Sequence, residues 1–586
     1  RNYPDGAPGT VFRRDVEMPN HVEVTPQDNS ATGFLSGVAV NVLLSLPTGA
    51  VFQEGTLFHR QGGEVDYRSA EFTVRGALIV AAVPDSLVGA RGVEYWARVV
   101  TASGTVLTTP ALDPAPAPLS FQTSVARLVE PSEHRGNDYR ILSVPLDFGP
   151  DFTGTLATIL GDQPEFGIYN PENWRCFAYS ESGYNEFDEG SEFIPKPGRA
   201  FWLISRTAHR VDTAPIIGFS TPTREPFAIS LSPGWNMVGN PYAFPVAWSS
   251  VRVNGVPVED QSDVEPPQSW TGTSYVGDQT LLEPFTGYWI MNRNAAALEL
   301  EVPAIQGTAP LQETRASAKR APGSAWTIKI TASTGGVHAS GEGGVDPEAA
   351  SGVDAKDRSA PPLSPGHCLS VYFPHGDWMK SPGRYATDLR DGRPRPQTED
   401  GQAWRFDVAK SFTDDESGDP TSLAFDVSRM LPDHEAVLFD RDLRRFVDLR
   451  QQSSYVFTLP GKDASSDPNR ARFELLVGSD AFIETHRLAG TASPFENRLF
   501  QNSPNPFRND TSIRYELAKA ERVRIEIFDI QGRLVRSLID EMQDPGRYET
   551  RWDGKDSQGR ETGPGIYFYH VEGTSTQSTR RMIRVR

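Results

Sequence analysis

The feature that most limits what this chain can fold into is its punctuation. Short runs rich in Val, Ile, Phe, Tyr and Thr are each closed by Gly, Pro, Asn or Asp, and the 586 residues include 51 Gly and 47 Pro. Runs of this length, alternating apolar with polar residues, read as half-buried strands joined by turns. No segment sustains the 3.6-residue period of an amphipathic helix. The expected fold class is all-β: tandem Ig-like or fibronectin-like and jelly-roll-like β-sandwich domains, with a duplicated aromatic-rich β unit. A chain this long exceeds one hydrophobic core and should divide into roughly three to five domains. Its 38% hydrophobic and 23% charged residues suit folded domains rather than a disordered chain.

Five segments are expected. Residues 1–122 read as an Ig-like or fibronectin III-like sandwich of about seven strands, closed by a semi-rigid spacer in which Pro recurs from Pro110 to Pro118. Its clearest signal is the alternation Val93, Tyr95, Ala97, Val99, followed by a turn at Gly104 and a second run at Val106 and Leu107, which predicts a hairpin. Runs at 37–46 and 70–83 supply further strands. Tyr95 resembles the corner tyrosine of such sandwiches.

Residues 123–303 contain an internal repeat, with copies at about 123–215 and 216–303. The first copy carries Ile141-Leu142-Ser143-Val144-Pro145, then Trp174 with Tyr179 and Tyr184, then Pro197 ahead of Phe201-Trp202. The second carries Asn236-Met237-Val238-Gly239-Asn240-Pro241, then Trp270 with Tyr275, then Pro284 ahead of Tyr288-Trp289. In each copy Pro precedes the Trp by the same offset, and a Trp is expected to open the middle hairpin. Two such units should pack about a pseudo-twofold axis. Trp202 and Trp289 read as core, as large aromatics at matched positions usually are. Trp174, Trp235 and Trp270 are the candidates for partial exposure and for stacking on glycan rings. Residues 304–323 read as a linker, 324–488 as a second, jelly-roll-like sandwich, and 483–493 as a short connection to the final domain at 489–586.

That final domain carries five pieces in order. They are Gln501-Asn502-Ser503-Pro504-Asn505-Pro506-Phe507, Phe528-Asp529-Ile530-Gln531-Gly532-Arg533, Trp552-Asp553-Gly554, Gly565-Ile566-Tyr567-Phe568-Tyr569 and the basic terminal run Arg580-Arg581-Met582-Ile583-Arg584-Val585-Arg586. By themselves they read as a proline-locked turn and strands separated by Gly turns, about seven strands forming a small sandwich. Together they resemble the type A C-terminal sorting domain of the bacterial type IX secretion system, a relative of the Ig-like domain of flagellar hook-capping proteins. On this resemblance the motif residues are Asn502, Pro504, Asn505, Pro506, Phe507, Asp529, Gly532, Arg533, Trp552, Asp553, Gly554, Gly565 and Tyr567. The resemblance implies export by a signal peptide, then passage through the outer membrane by the type IX machinery, commonly followed by removal of the domain and attachment to surface lipopolysaccharide. The chain opens at Arg1 without a Met or an apolar leader, so a mature form or a fragment is expected.

Composition and motifs narrow the chemistry. A net charge of −19 disfavours nucleic acid and anionic membrane surfaces, and no run of eighteen apolar residues predicts a membrane span. Cys176 and Cys368 read as two buried thiols rather than a long-range disulfide. The ten histidines are scattered, with no zinc-protease, Walker, dinucleotide or Gly-x-Ser-x-Gly motif. His367 and Cys368 are strand neighbours and should point to opposite faces. Asp414, Asp415, Glu416 and Asp419, or Asp354 with Asp357, offer oxygens for a loop calcium, but solvated loops are the plainer reading and no cofactor is expected. Asp553, Asp556 and Gly559 should shape a turn.

The expected function is a non-enzymatic adhesive or structural protein, extracellular or on the outer-membrane surface of a Gram-negative bacterium. Its partners would be the type IX secretion machinery, further copies or other surface proteins, and glycans. The alternatives are the C-terminal accessory region of a larger secreted hydrolase, such as a protease, and a carbohydrate-binding surface protein.

Overall fold

Period-two alternation becomes strand throughout. The computed structural model describes residues 22–28, 30, 33–110, 118–180, 183–308, 325–350, 352–378, 381–392, 400–411, 420–430, 434–459, 471–492, 497–517, 520–544, 546–573 and 577–585. Its described residues are nearly all β, with α-helices only at Leu156–Leu160 and Asp480–Ala492. Contacts group the chain into two compact units. The first is Arg1–Gly392 with Asp407–Asp426 and Ser454–Arg470, and the second is Arg393–Phe406, Val427–Ser453 and Ala471–Arg586.

The first unit opens with two sheets sharing one core. One orders Glu23–Pro26, Val40–Ser45, Leu78–Val83 and Thr73–Arg75; the other orders Arg68–Glu71, Phe52–Gln61, Val93–Thr101 and Val106–Thr109, with Leu119–Phe121 also on Val93–Thr101. Val40, Val42, Leu57, Val83, Val93, Ala97 and Val99 point inward and are fully buried. Each such Val or Leu side chain contributes about 1.5–3 kcal/mol of burial. The hairpin expected around Gly104 pairs Val99 with Leu107. Tyr95 is buried and packs on Phe121 with centroids 6.0 Å apart. Of the spacer, residues 111–117 lie outside the described residues.

The repeat folds as two related halves. In the first, Arg140–Ser143 pairs with Ala200–Ser205, placing Ile141 opposite Trp202. In the second, Gly234–Gly239 pairs with Gly287–Asn292, placing Met237 opposite Trp289. The halves meet through equivalent groups: the Gly239 N–H donates to the Gly198 carbonyl at 2.9 Å and the Ser143 N–H to the Phe285 carbonyl at 3.5 Å. Gly198 and Phe285 both take positive φ, at 81° and 59°. A side chain at Gly287 would strike Ile141 and Ala200, so the close approach requires Gly. The aromatic hairpins then cross over. Trp289 of the second copy packs edge-on against Tyr179 of the first (4.7 Å, 90°), and Trp202 of the first packs against Trp270 of the second (5.4 Å, 77°). Trp202 and Trp289 are fully buried, as core aromatics should be.

Pairing also corrects the sequence alignment of the copies. The cross-strand pair Tyr179 and Tyr184 is matched by Trp270 and Tyr275. Tyr179, not Trp174, is therefore the counterpart of Trp270. Trp174 begins the strand Trp174–Ser180 and faces the other side, into a core with Leu142, Phe166 and Phe193.

A strap from the following sheet lies over this aromatic core. The Ser359 N–H and hydroxyl donate to Glu265, the Gln268 side chain donates to the Ser359 carbonyl (3.1 Å), and the Tyr275 hydroxyl donates to the Pro362 carbonyl (2.7 Å). Arg293, paired with buried Glu265 at 2.9 Å, donates to the Asp354 and Asp357 carbonyls. The sheet behind the strap orders Leu369–His375, Gly383–Arg390, Val337–Val345, Trp326–Thr334, Pro420–Asp426 and Ser454–Thr458. Val337–Val345 and Gly383–Arg390 pair in parallel, while the other pairs of this sheet among the described residues are antiparallel. Residues 304–308 are packed rather than free: Ile305 bridges Gly63, and the Gly307 N–H donates to the Pro245 carbonyl. Residues 309–324 lie outside the described residues.

In the second unit Arg445–Asp448, Glu435–Asp440, Phe473–Gly478 and residues 401–406 form antiparallel neighbours. Residues 483–493, expected as a connection, belong largely to the helix Asp480–Ala492. Phe482 and Ile483 sink into a pocket of Val437 and Leu476. Burial of those two side chains anchors the apolar face of a short amphipathic helix where the sequence predicts none. The remaining strands make the C-terminal module. One sheet orders Arg498–Leu499, Thr511–Leu517 and Gly546–Trp552; the other orders Leu534–Gln543, Glu521–Asp529, Gly565–Gly573 and Gln577–Arg584. Ile513, Tyr515, Ile525, Ile527, Trp552 and Tyr569 fill the space between them.

Candidate functional site

The C-terminal motif residues come together as a clamp on the last strand. Asn502 is buried; its Nδ2 donates to the Pro504 carbonyl (3.2 Å) and the Thr511 hydroxyl (2.9 Å). Its backbone N–H donates to the Tyr569 hydroxyl (2.9 Å), which itself donates to the Phe500 carbonyl (2.8 Å). From this anchor the segment runs along the outer side of Gln577–Arg584. The Gln501 amide donates to the Arg581 carbonyl (2.8 Å), and the Asn505 Oδ1 accepts the Ile583 N–H (2.8 Å). The Phe507 N–H donates to the Ile583 carbonyl (3.0 Å), and the Val585 N–H to the Phe507 carbonyl (2.8 Å). An edge strand offers unpaired backbone groups to other chains. Here the motif occupies them, and Pro504 and Pro506 have no N–H of their own to leave open.

The other pieces hold turns. The Asp529 Oδ1 accepts the N–H groups of Gln531 (2.9 Å) and Arg533 (3.0 Å), and Oδ2 accepts the Arg533 Nε (2.8 Å). These donors, the Arg533 N–H first, hold the Asp529 carboxyl below the usual range. Gly532 supplies the positive φ of 74° that the turn needs. Asp556 repeats the device on Gln558 and Arg560 with matching distances. The Asp553 Oδ1 accepts from Lys555 (3.1 Å) and Arg536 (2.7 Å). Gly554 takes φ 70° and leaves room for the Arg584 guanidinium, which donates to Thr562. Phe507, Trp552 and Tyr567 are buried and stack edge-on in series (5.5 and 5.1 Å). Gly565 and Arg533 are exposed. The pieces recognised in sequence thus brace one another; their chemistry is capping and packing.

The three tryptophans proposed to meet glycans divide. Trp174 is 1% exposed, so no ring face is open to a sugar and that expectation falls. Trp235 and Trp270 are half-buried against Trp289 and Trp202, with centroids 6.0 and 5.4 Å apart. Cys176 and Cys368 are free, buried thiols, and burial raises both pKa values. His367 is exposed and Cys368 buried, but both precede the strand Leu369–His375 rather than lie on it, so strand alternation does not set their facing.

Asp354 and Asp357 do not form a solvated loop. Asp357 is fully buried, and its two oxygens accept the N–H groups of Asp354 (3.0 Å) and Leu389 (3.0 Å). Asp354 accepts from Ala350 and Lys356. Asp414, Asp415, Glu416 and Asp419 lie outside the described residues, and among the described ones no cluster of three or more His, Cys, Asp or Glu could hold a metal ion.

One site escaped the sequence reading. At the edge of the first repeat copy an open cleft of about 520 Å³ is lined by Tyr169, Pro171, Glu172, Arg175, Glu186 and Phe187. Arg175 grips Glu186 with two parallel bonds, Nε to Oε1 and NH2 to Oε2, each 2.7 Å, while the Tyr169 hydroxyl donates to Oε1 (3.2 Å). The Arg175 contact holds Glu186 below the usual carboxylate range; burial and Glu186 together push the Tyr169 phenol up. The signal that would have found the cleft is the charged pair on neighbouring strands, but its register was not readable before the pairing was known. Among the described residues no helix is long and apolar enough to cross a membrane, which says nothing of a β-barrel.

Several solved structures are similar to the chain at low identity. Dimeric latent PorU from Porphyromonas gingivalis is 13% identical, with 66% of this chain and 35% of that chain covered and a TM-score of 0.15. The chain therefore spans about a third of that protein's length. A tetra-tandem repeat from the extending region of a large adhesion protein is 10% identical, covering 97% and 99% of the two chains, TM-score 0.16. PorZ, described as a surface component of the type IX secretion system of P. gingivalis, is 8% identical, covering 93% and 97%, TM-score 0.12. No curated protein matches the chain. The family model that does match covers residues 507–577, and it is that of the FlgD Ig-like domain.

Proposed function

We propose that this protein is a non-enzymatic adhesive or structural protein, exported to the surface of a Gram-negative bacterium or beyond it, with the C-terminal module as its type IX sorting signal. The observation that carries the reading is that module. It matches the hook-capping Ig-like family over 507–577, and all five motif pieces brace one Ig-like sandwich. A sorting signal read as a folded surface needs its own core and closed edges, and the clamp of residues 501–507 on the last strand supplies the closure. The non-enzymatic part rests on scattered histidines and on Asp354, Asp357, Asp529 and Asp556 being spent on backbone N–H groups.

The test is delivery. Expressed behind a signal peptide in a bacterium with type IX machinery, the full chain should become sensitive to external protease or appear in the medium. In a strain lacking that machinery it should stay inside the outer membrane. Surface delivery of a chain truncated after residue 488 would overturn the assignment.

A further inference from the structure

We propose that the cleft at the edge of the first repeat copy binds a neutral oligosaccharide. The inference goes beyond the surface role and does not depend on the route of export.

The wall of the cleft is built in advance. Tyr169 stands edge-on to buried Trp174 (4.8 Å, 89°) and against Phe187 (4.6 Å, 52°), which leans on Phe193 (5.1 Å). The loop carrying Tyr169 is pinned at Asn170. Its carbonyl accepts the N–H groups of Asn173 (2.8 Å) and Trp174 (3.0 Å), and its side chain accepts that of Glu172 (2.9 Å). A wall fixed this way loses little freedom when a ligand arrives.

Facing the rings is the Arg175–Glu186 pair, with side chains 41% and 36% exposed. A pyranose offers an apolar C–H face and a rim of hydroxyls that both donate and accept. An aromatic wall beside a flat, bidentate ion pair answers both features. The site is an open surface groove rather than an enclosed cavity, and that open shape suits an internal stretch of a chain.

Charge selects among ligands. Glu172 lines the cleft on a chain of net charge −19, which disfavours phosphate, sulfate and uronic acids. The Arg175–Glu186 pair cancels its own charge, so it presents polar edges to hydroxyls rather than a net charge to an ionic ligand. Neutral saccharides remain, and they would meet Tyr169 and Phe187 rather than the buried Trp174.

The test uses the full chain and saturation-transfer NMR with cellohexaose, xylohexaose, mannohexaose and maltohexaose as probes. A proline-rich peptide and inorganic sulfate are the competitors. At least one saccharide should bind. Tyr169→Ala should weaken it about tenfold or more, Glu186→Gln about threefold or more, and Tyr169→Phe, which keeps the ring, by less than about twofold. Thermal unfolding reports whether each variant folds; if Tyr169→Ala does not, the Phe and Gln variants decide. Absence of saccharide binding, binding indifferent to these substitutions, or preference for the peptide or sulfate would overturn the proposal.

Discussion

In the duplicated unit the residues that stand out in sequence are large and apolar, and the fold puts them in the middle. In the C-terminal module they are mostly small, polar or cyclic, and the fold puts them at turns and along an edge. Trp202 and Trp289 are each fully buried under the other copy's hairpin, so each half completes its core only through its twin. Asn502, Asn505, Asp529 and Asp553 instead satisfy backbone groups that strands and turns leave open. The lesson is that a conspicuous side chain acts by what it can satisfy. A Trp gains most by leaving water, while an Asn or Asp gains most by meeting an unpaired N–H or carbonyl.

The contrast can be broken most directly at the tryptophans. Trp289→Ala should cost about 3–5 kcal/mol in urea unfolding, and Trp202→Ala a similar amount by the internal symmetry. A loss below about 1 kcal/mol at either site would end the claim of reciprocal cores.

Asn502→Ala tests the other side. It strips the Thr511 hydroxyl and the Pro504 carbonyl of a buried donor and should cost about 1–3 kcal/mol. Amide exchange at 577–585 should quicken, because the clamp on the last strand starts at this residue. Unchanged exchange there would show that the clamp does not need its anchor.

A pH effect sharpens the comparison from within the first unit. Burial drives His209 down to about 4, and its Nδ1 donates to the Thr207 carbonyl (3.2 Å) while Nε2 is buried without a partner. The Glu130–Arg140 pair and His134 lie nearby. The folded state therefore holds the neutral ring and the unfolded state takes the proton first. Stability should be whole above pH of about 6.5 and fall as pH drops towards 4, a loss on the order of 2 kcal/mol. His209→Phe should flatten that slope; a slope of equal size in the variant would locate the effect elsewhere.

The smallest expected effect concerns the paired turns. Asp529→Ala and Asp556→Ala should lower the melting temperature slightly and by similar amounts, since each removes the same three acceptor contacts. Unequal shifts would show that the likeness of the turns is only local.

Much of this was legible beforehand. Alternation predicted Val93–Thr101, and the matched Pro-to-Trp offset marked Trp202 and Trp289 as core. The C-terminal pieces were legible because turn chemistry is local: an Asp four residues before an Arg with Gly between them needs nothing distant. Three things were not. Trp174 matched Trp270 in type, but strand register, which decides equivalence, depends on pairing. The helix Asp480–Ala492 owes its place to Phe482 and Ile483 finding Val437 and Leu476. The cleft required Arg175 and Glu186 to meet across a hairpin.

The sequence by itself determined that this is an all-β chain with a repeat and an Ig-like C-terminal module, because periodicity and turn residues act over a few neighbours. Tertiary structure alone decided that the repeat's tryptophans cross over, that residues 501–507 close the edge of a strand some eighty residues later, and that an aromatic wall faces an ion pair. Those outcomes depend on contacts between distant segments, which local preference does not encode.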